Sequence, residues 1–113
     1  MKTIEELKKE PRLNITQIGL DGGMGWIYLP ISKRPLAVIF SNGGGWNHVS
    51  VSHRNKTPSW EEMCMVKDIF FHKDEVAIQY HPKEEDYINN HPYTLHIWQP
   101  QNETIPTPPK EFV

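Results

Sequence analysis

Apolar positions along the chain follow two periods. Over Leu13–Ser52 and again over Val76–Gln99 they alternate with polar neighbours, as half-buried strands do; over Trp60–Phe71 they recur at steps of three and four, as in a helix with one buried face. Leu13 and Ile15 begin the first alternating stretch, and Asp21-Gly22-Gly23 reads as a turn into an aromatic-rich strand over Gly25–Leu29 that Pro30 stops. After the polar turn Ser32–Pro35, the unbroken apolar run Leu36–Phe40 predicts a central strand covered on both faces. Asn42–Gly45 then links to Trp46–Ser52, where Val49 and Val51 face one side and Trp46, His48, Ser50 and Ser52 the other.

Two helices carry their own start signals. Ser59 and Glu62 have capping-box spacing, so a main helix is predicted over 60–71, with Met63, Val66, Ile69 and Phe70 as its core stripe. Trp60, Cys64 and Phe71 widen its apolar arc, leaving Glu61, Asp68 and His72 on a narrow polar side. Thr3 and Glu6 repeat the capping box for a short helix over 3–10, ended by Pro11. Beyond the main helix, Val76, Ile78 and Tyr80 alternate with Ala77, Gln79 and His81. A charged loop over 82–92 leads to Tyr93–Gln99, with Leu95 and Ile97 inward and Thr94, His96 and Trp98 outward. The expected fold is α+β: one domain over residues 1–100, an antiparallel sheet of about five or six strands with the main helix on one face. Residues 101–113 read as a Pro-rich polar tail.

Composition narrows the function classes. At 113 residues the chain has the size of one domain with one core. No apolar run reaches the ~18 residues of a membrane span, and the first residues lack the apolar centre of a secretory signal, which points to the cytoplasm. A single cysteine, Cys64, excludes an internal disulfide framework or a multi-cysteine zinc site, and inside an apolar helix it reads as packing. With a net charge of −2, and with Lys33-Arg34 and Arg54/Lys56 as its only local basic pairs outside the N-terminal helix, the chain is not expected to bind nucleic acid strongly.

The candidate chemistry concentrates on the sheet face away from the main helix. Trp46 and Trp98 there form a platform for a planar ligand or a protein partner, with His48, His96 and Asn47 as hydrogen-bonding groups and Gly44 and Gly45 allowing close approach to the backbone. The competing reading packs both tryptophans beneath the N-terminal helix or the tail. A second functional reading gathers His48, His81 and His96 as ligands of a divalent metal in a hydrolase, although the spacing matches no recognised metal motif. The glycine runs precede strands, not helix N-termini, and lack the Lys-Ser/Thr ending of a phosphate loop. Glu61 and Glu62 are adjacent and diverge on a helix, so they make no catalytic pair.

Three strings carry a family likeness: Gly43–Ser52 (GGGWNHVSVS), Thr57–Met63 (TPSWEEM) and Asn89–Trp98 (NNHPYTLHIW). In this order, within a region from about Gly25 to Pro100, they resemble a small uncharacterised domain family of bacteriophages, prophages and related bacterial genomes. The resemblance implies no particular reaction, cofactor or catalytic set. It implies a phage-linked cytoplasmic protein of the kind that binds a host or defence component. The leading expectation is therefore a binding module without catalytic residues, acting on a host or defence protein or a nucleotide-like ligand. The alternatives are the metal-dependent hydrolase and a structural protein whose aromatic face is a homodimer interface.

Overall fold

The computed structural model describes residues 1–43, 45–78, 83–84 and 93–100, apart from the side chains of Trp46, Lys83, Glu84 and Pro100. The elements run α1 (Ile4–Lys8), β1 (Leu13–Gly19), β2 (Gly22–Ile27), β3 (Leu36–Ser41), β4 (Trp46–His53), α2 (Trp60–Phe71), β5 (Ala77–Ile78), β6 (Lys83–Glu84) and β7 (Tyr93–Pro100). All pairings are antiparallel, in the order β1-β2-β3-β4-β7-β5, with β6 also on β7. This is the α+β architecture that the two periods predict. The last long strand lies inside the sheet, paired with β4 over its whole length from Trp46↔Pro100 to His53↔Tyr93.

One face of the sheet holds the core. Val38 and Phe40 of β3, Val49 and Val51 of β4, and Leu95 and Ile97 of β7 join Met63, Val66, Ile69 and Phe70 of α2 in one buried cluster. The Phe40 and Phe70 rings meet at 5.3 Å and 45°, a tilted aromatic contact. Both capping boxes form as the spacing predicts, Thr3 with Glu6 and Ser59 with Glu62. At five residues α1 is too short to persist alone. It is held by the fully buried Leu7 and by the Lys2 amide, which donates to the Phe70 carbonyl at 2.7 Å.

Three local expectations are corrected. The glycines assigned to a turn lie within β2, which spans Gly22–Ile27 and not Gly25–Leu29. The reason is close approach between strands: a Cβ on Gly25 would strike the Asn14 carbonyl oxygen of β1, and one on Gly22 the Phe40 carbonyl oxygen of β3. Trp60 is 50% exposed and does not widen the buried arc, because it is the first residue of α2, at the rim of the contact with the sheet. The short helix predicted over 3–10 spans only Ile4–Lys8, since Lys9 already takes the C-cap position. The alternation expected from Val76 to His81 is seen as β5 over Ala77–Ile78, and its remainder from Gln79 lies outside the described residues, as does the tail over 101–113. Among the described residues no helix is long and apolar enough to cross a membrane.

Candidate functional site

Strand register decides which of the predicted site residues meet. On the face away from α2, cross-strand rows run Trp26–Ala37–Ser52–Thr94, Met24–Ile39–Ser50–His96 and Ser41–His48–Trp98–Ala77. His48, His96 and Trp98 are thus neighbours, as alternation predicts. Asn47 is not with them: it lies on the opposite side of β4, where its Nδ2 donates to Gln99 Oε1 at 3.3 Å. Gly45 occupies the turn before β4 with φ 84°, a left-handed conformation that favours glycine. Gly44, His81 and the Trp46 side chain lie outside the described residues.

The middle of this face is closed. Ser50, Ser52, Thr94 and His96 are each no more than 1% exposed, whereas His48 and Trp98 are half-buried. The buried hydroxyls are satisfied locally: Ser52 and Thr94 share a hydrogen bond at 3.1 Å, and Ser50 Oγ donates to the Ile39 carbonyl at 3.4 Å. The two histidines bond to each other, His48 Nε2 to His96 Nδ1 at 2.7 Å. Their rings are inclined by only 18° with centroids 5.0 Å apart, which is the bond length plus a ring radius at each end. This is an end-to-end contact, in which one neutral ring donates and the other accepts. Burial, and then any positive charge on His96, pushes the His48 pKa down to about 4. Two of the three proposed metal-ligating histidines therefore spend one ring nitrogen each on one another. Among the described residues no group of three His, Cys, Asp or Glu side chains is arranged to hold a metal.

A concave site with convergent polar groups lies elsewhere. A cavity of about 420 Å³ opens between the β2–β3 connection, the end of β4 and the first turn of α2. The connection contributes Ile31, Ser32, Lys33 and Arg34; the other wall contributes His53, Asn55, Lys56, Ser59, Glu61 and Glu62. Two of its polar groups are buried, His53 and Glu62, each 5% exposed. Glu62 spans the pocket: Oε1 accepts from the Ser59 amide at 2.9 Å and Oε2 from Ser32 Oγ at 2.5 Å. Burial alone would raise its pKa, but the hydrogen bonds from Ser32 and Ser59, with Lys56 close by, outweigh it and hold the carboxyl below its usual value. His53 Nδ1 accepts from the Asn55 amide at 3.3 Å, which places the proton of the neutral ring on Nε2.

Pattern reasoning missed this cavity. Its visible traces were the pair Lys33-Arg34 and Lys56 of the Arg54/Lys56 pair, which are sparse when counted along the chain but line one cavity in the fold.

The family model described as "Domain of unknown function (DUF7694)" matches residues 38–102, more than half of the chain. The chain belongs to this family. The matched segment runs from β3 through β7 and holds the helix-side wall of the cavity, together with His48, His96 and Trp98. The Ile31–Arg34 wall precedes it. No curated protein and no solved structure matches the chain.

Proposed function

We propose that this protein is a binding module whose ligand site is the cavity between the β2–β3 connection and the start of α2. The observation that carries the reading is the cavity itself: about 420 Å³ lies within the size range of small-molecule sites, and its polar groups converge from three segments. The site is built on firm elements, because Ser32 is tied through Glu62 to the capped first turn of α2. The likeness of three sequence motifs to phage and prophage proteins adds a setting, in which the ligand or partner belongs to the bacterial host or its defences.

A protein partner docking at His48 and Trp98 is the competing reading, supported by the partial exposure of both side chains at the end of the closed strip. One experiment separates the two. In a titration of ¹⁵N-labelled protein with a fragment set, the cavity reading expects shift changes at the amides of Ser32, His53, Lys56 and Glu62. Changes confined to His48 and Trp98, or none at either place, refute it.

A further inference from the structure

The charge of the cavity lining indicates what it takes. Lys33, Arg34 and Lys56 approach the same space from two connections, in a chain whose overall charge is −2. Among the described residues the ion pairs join Met1 to Asp74, Lys8 to Glu5, Arg12 to Glu10 and His72 to Asp68. None of them takes Lys33, Arg34 or Lys56. Arg34 meets a neutral group: with its amide turned to present oxygen, Asn55 accepts from both Arg34 Nη1 and, at 3.0 Å, Arg34 Nη2, and the remaining N–H groups of the guanidinium keep their donors. The buried carboxylate, Glu62, is already engaged by Ser32 and the Ser59 cap, and it closes the N-terminus of α2 as a capping-box residue does. Glu61 is the other acid on the lining and is exposed at the rim. Three cations thus face two carboxylates, one of them committed to holding the helix start.

We propose that this cavity receives a phosphate-bearing small molecule, with Lys33, Arg34 and Lys56 holding the phosphate; the inference rests on the cavity being the binding site. A guanidinium and two mobile ammonium groups match an oxyanion's several acceptors, whereas a neutral ligand would leave the excess of cations over carboxylates on the lining uncompensated. Ile31, 47% exposed at the same cavity, supplies an apolar surface for the rest of the ligand.

The probes are inorganic phosphate and inorganic pyrophosphate, followed by calorimetry and by amide shifts of the full chain. Pyrophosphate should bind more tightly than phosphate, shift Ser32, His53 and Lys56, and weaken several-fold between 50 and 200 mM salt (roughly, from screening of exposed charges). Each of Lys33→Gln, Arg34→Gln and Lys56→Gln should weaken it roughly tenfold. All three side chains are exposed, so these variants should keep the wild-type circular dichroism and melting temperature. Pyrophosphate binding that survives the triple variant overturns the proposal. If pyrophosphate fails while neutral fragments still shift the cavity amides, the phosphate assignment falls and the cavity stands as a site. If neither binds there, both fall.

Discussion

Acid should weaken this fold through one histidine. His48 is held near pKa 4 in the folded protein, against an ordinary value of 6.5. Between those values the unfolded chain binds a proton that the folded one refuses, so stability present at pH 7 is lost progressively as pH falls from about 6.5 to 4. The full difference is about 3 kcal/mol, a large part of the 5–15 kcal/mol that ordinarily separates folded from unfolded states. Its physical basis is burial of the imidazole, which disfavours the charged form, with the His96 ring 2.7 Å away adding a smaller electrostatic contribution. The assay is urea unfolding at half-unit steps from pH 7 to pH 4, for wild type and for His48→Gln. Glutamine cannot titrate, and its amide can still donate toward His96. Wild type should lose up to about 3 kcal/mol more than the variant over this interval, with a limiting slope near 1.4 kcal/mol per pH unit. Parallel curves for the two proteins would refute the reasoning.

Three further outcomes test the fold. Ser59→Ala removes the cap of α2 and should cost about 1 kcal/mol, lowering the midpoint by about 5 °C in a thermal melt. Gly25→Ala should cost more than about 2 kcal/mol, because its Cβ would collide with the β1 backbone, whereas Gly43→Ala, with its nearest neighbour at 3.9 Å, should stay within about 0.5 kcal/mol in the same denaturant titration. Ser52→Ala and Thr94→Val should each cost about 1–2 kcal/mol by leaving a buried hydroxyl without its partner; the double variant should cost about 1 kcal/mol less than the sum, and strict additivity in the mutant cycle would sink the claim that they bond to each other.

Much of the fold was legible because local signals agreed with burial. Ser59 and Glu62 announce α2, and its stripe Met63, Val66, Ile69 and Phe70 is fully buried as the helical period requires. Alternation placed Val49, Val51, Leu95 and Ile97 on the core side, and His48, His96 and Trp98 together on the other. Gly22 and Gly23 misled because a glycine that admits a neighbouring strand looks, in one dimension, like a glycine that makes a turn. Asn47 misled for a different reason: its proximity to Trp46 and His48 in the chain hid the fact that adjacent strand residues point apart. The cavity was legible only as scattered basic residues, Lys33, Arg34 and Lys56. Its lining comes mostly from two connections, and no periodicity in either segment encodes the distance between Lys33 and Lys56.

The position of β7 sets a condition on how the chain can be made. β4 is complete at His53, but on one side its partner is a strand that begins forty residues later, at Tyr93. A nascent chain emerging from the ribosome therefore exposes one row of β4 amides and carbonyls, beside Val49 and Val51, until Pro100 has cleared the exit tunnel. Such an edge is a template for intermolecular pairing. Slow translation or a truncation before Tyr93 should thus lead to inclusion bodies and not to a smaller folded domain, and the yield of native protein should depend on how promptly that final stretch is delivered.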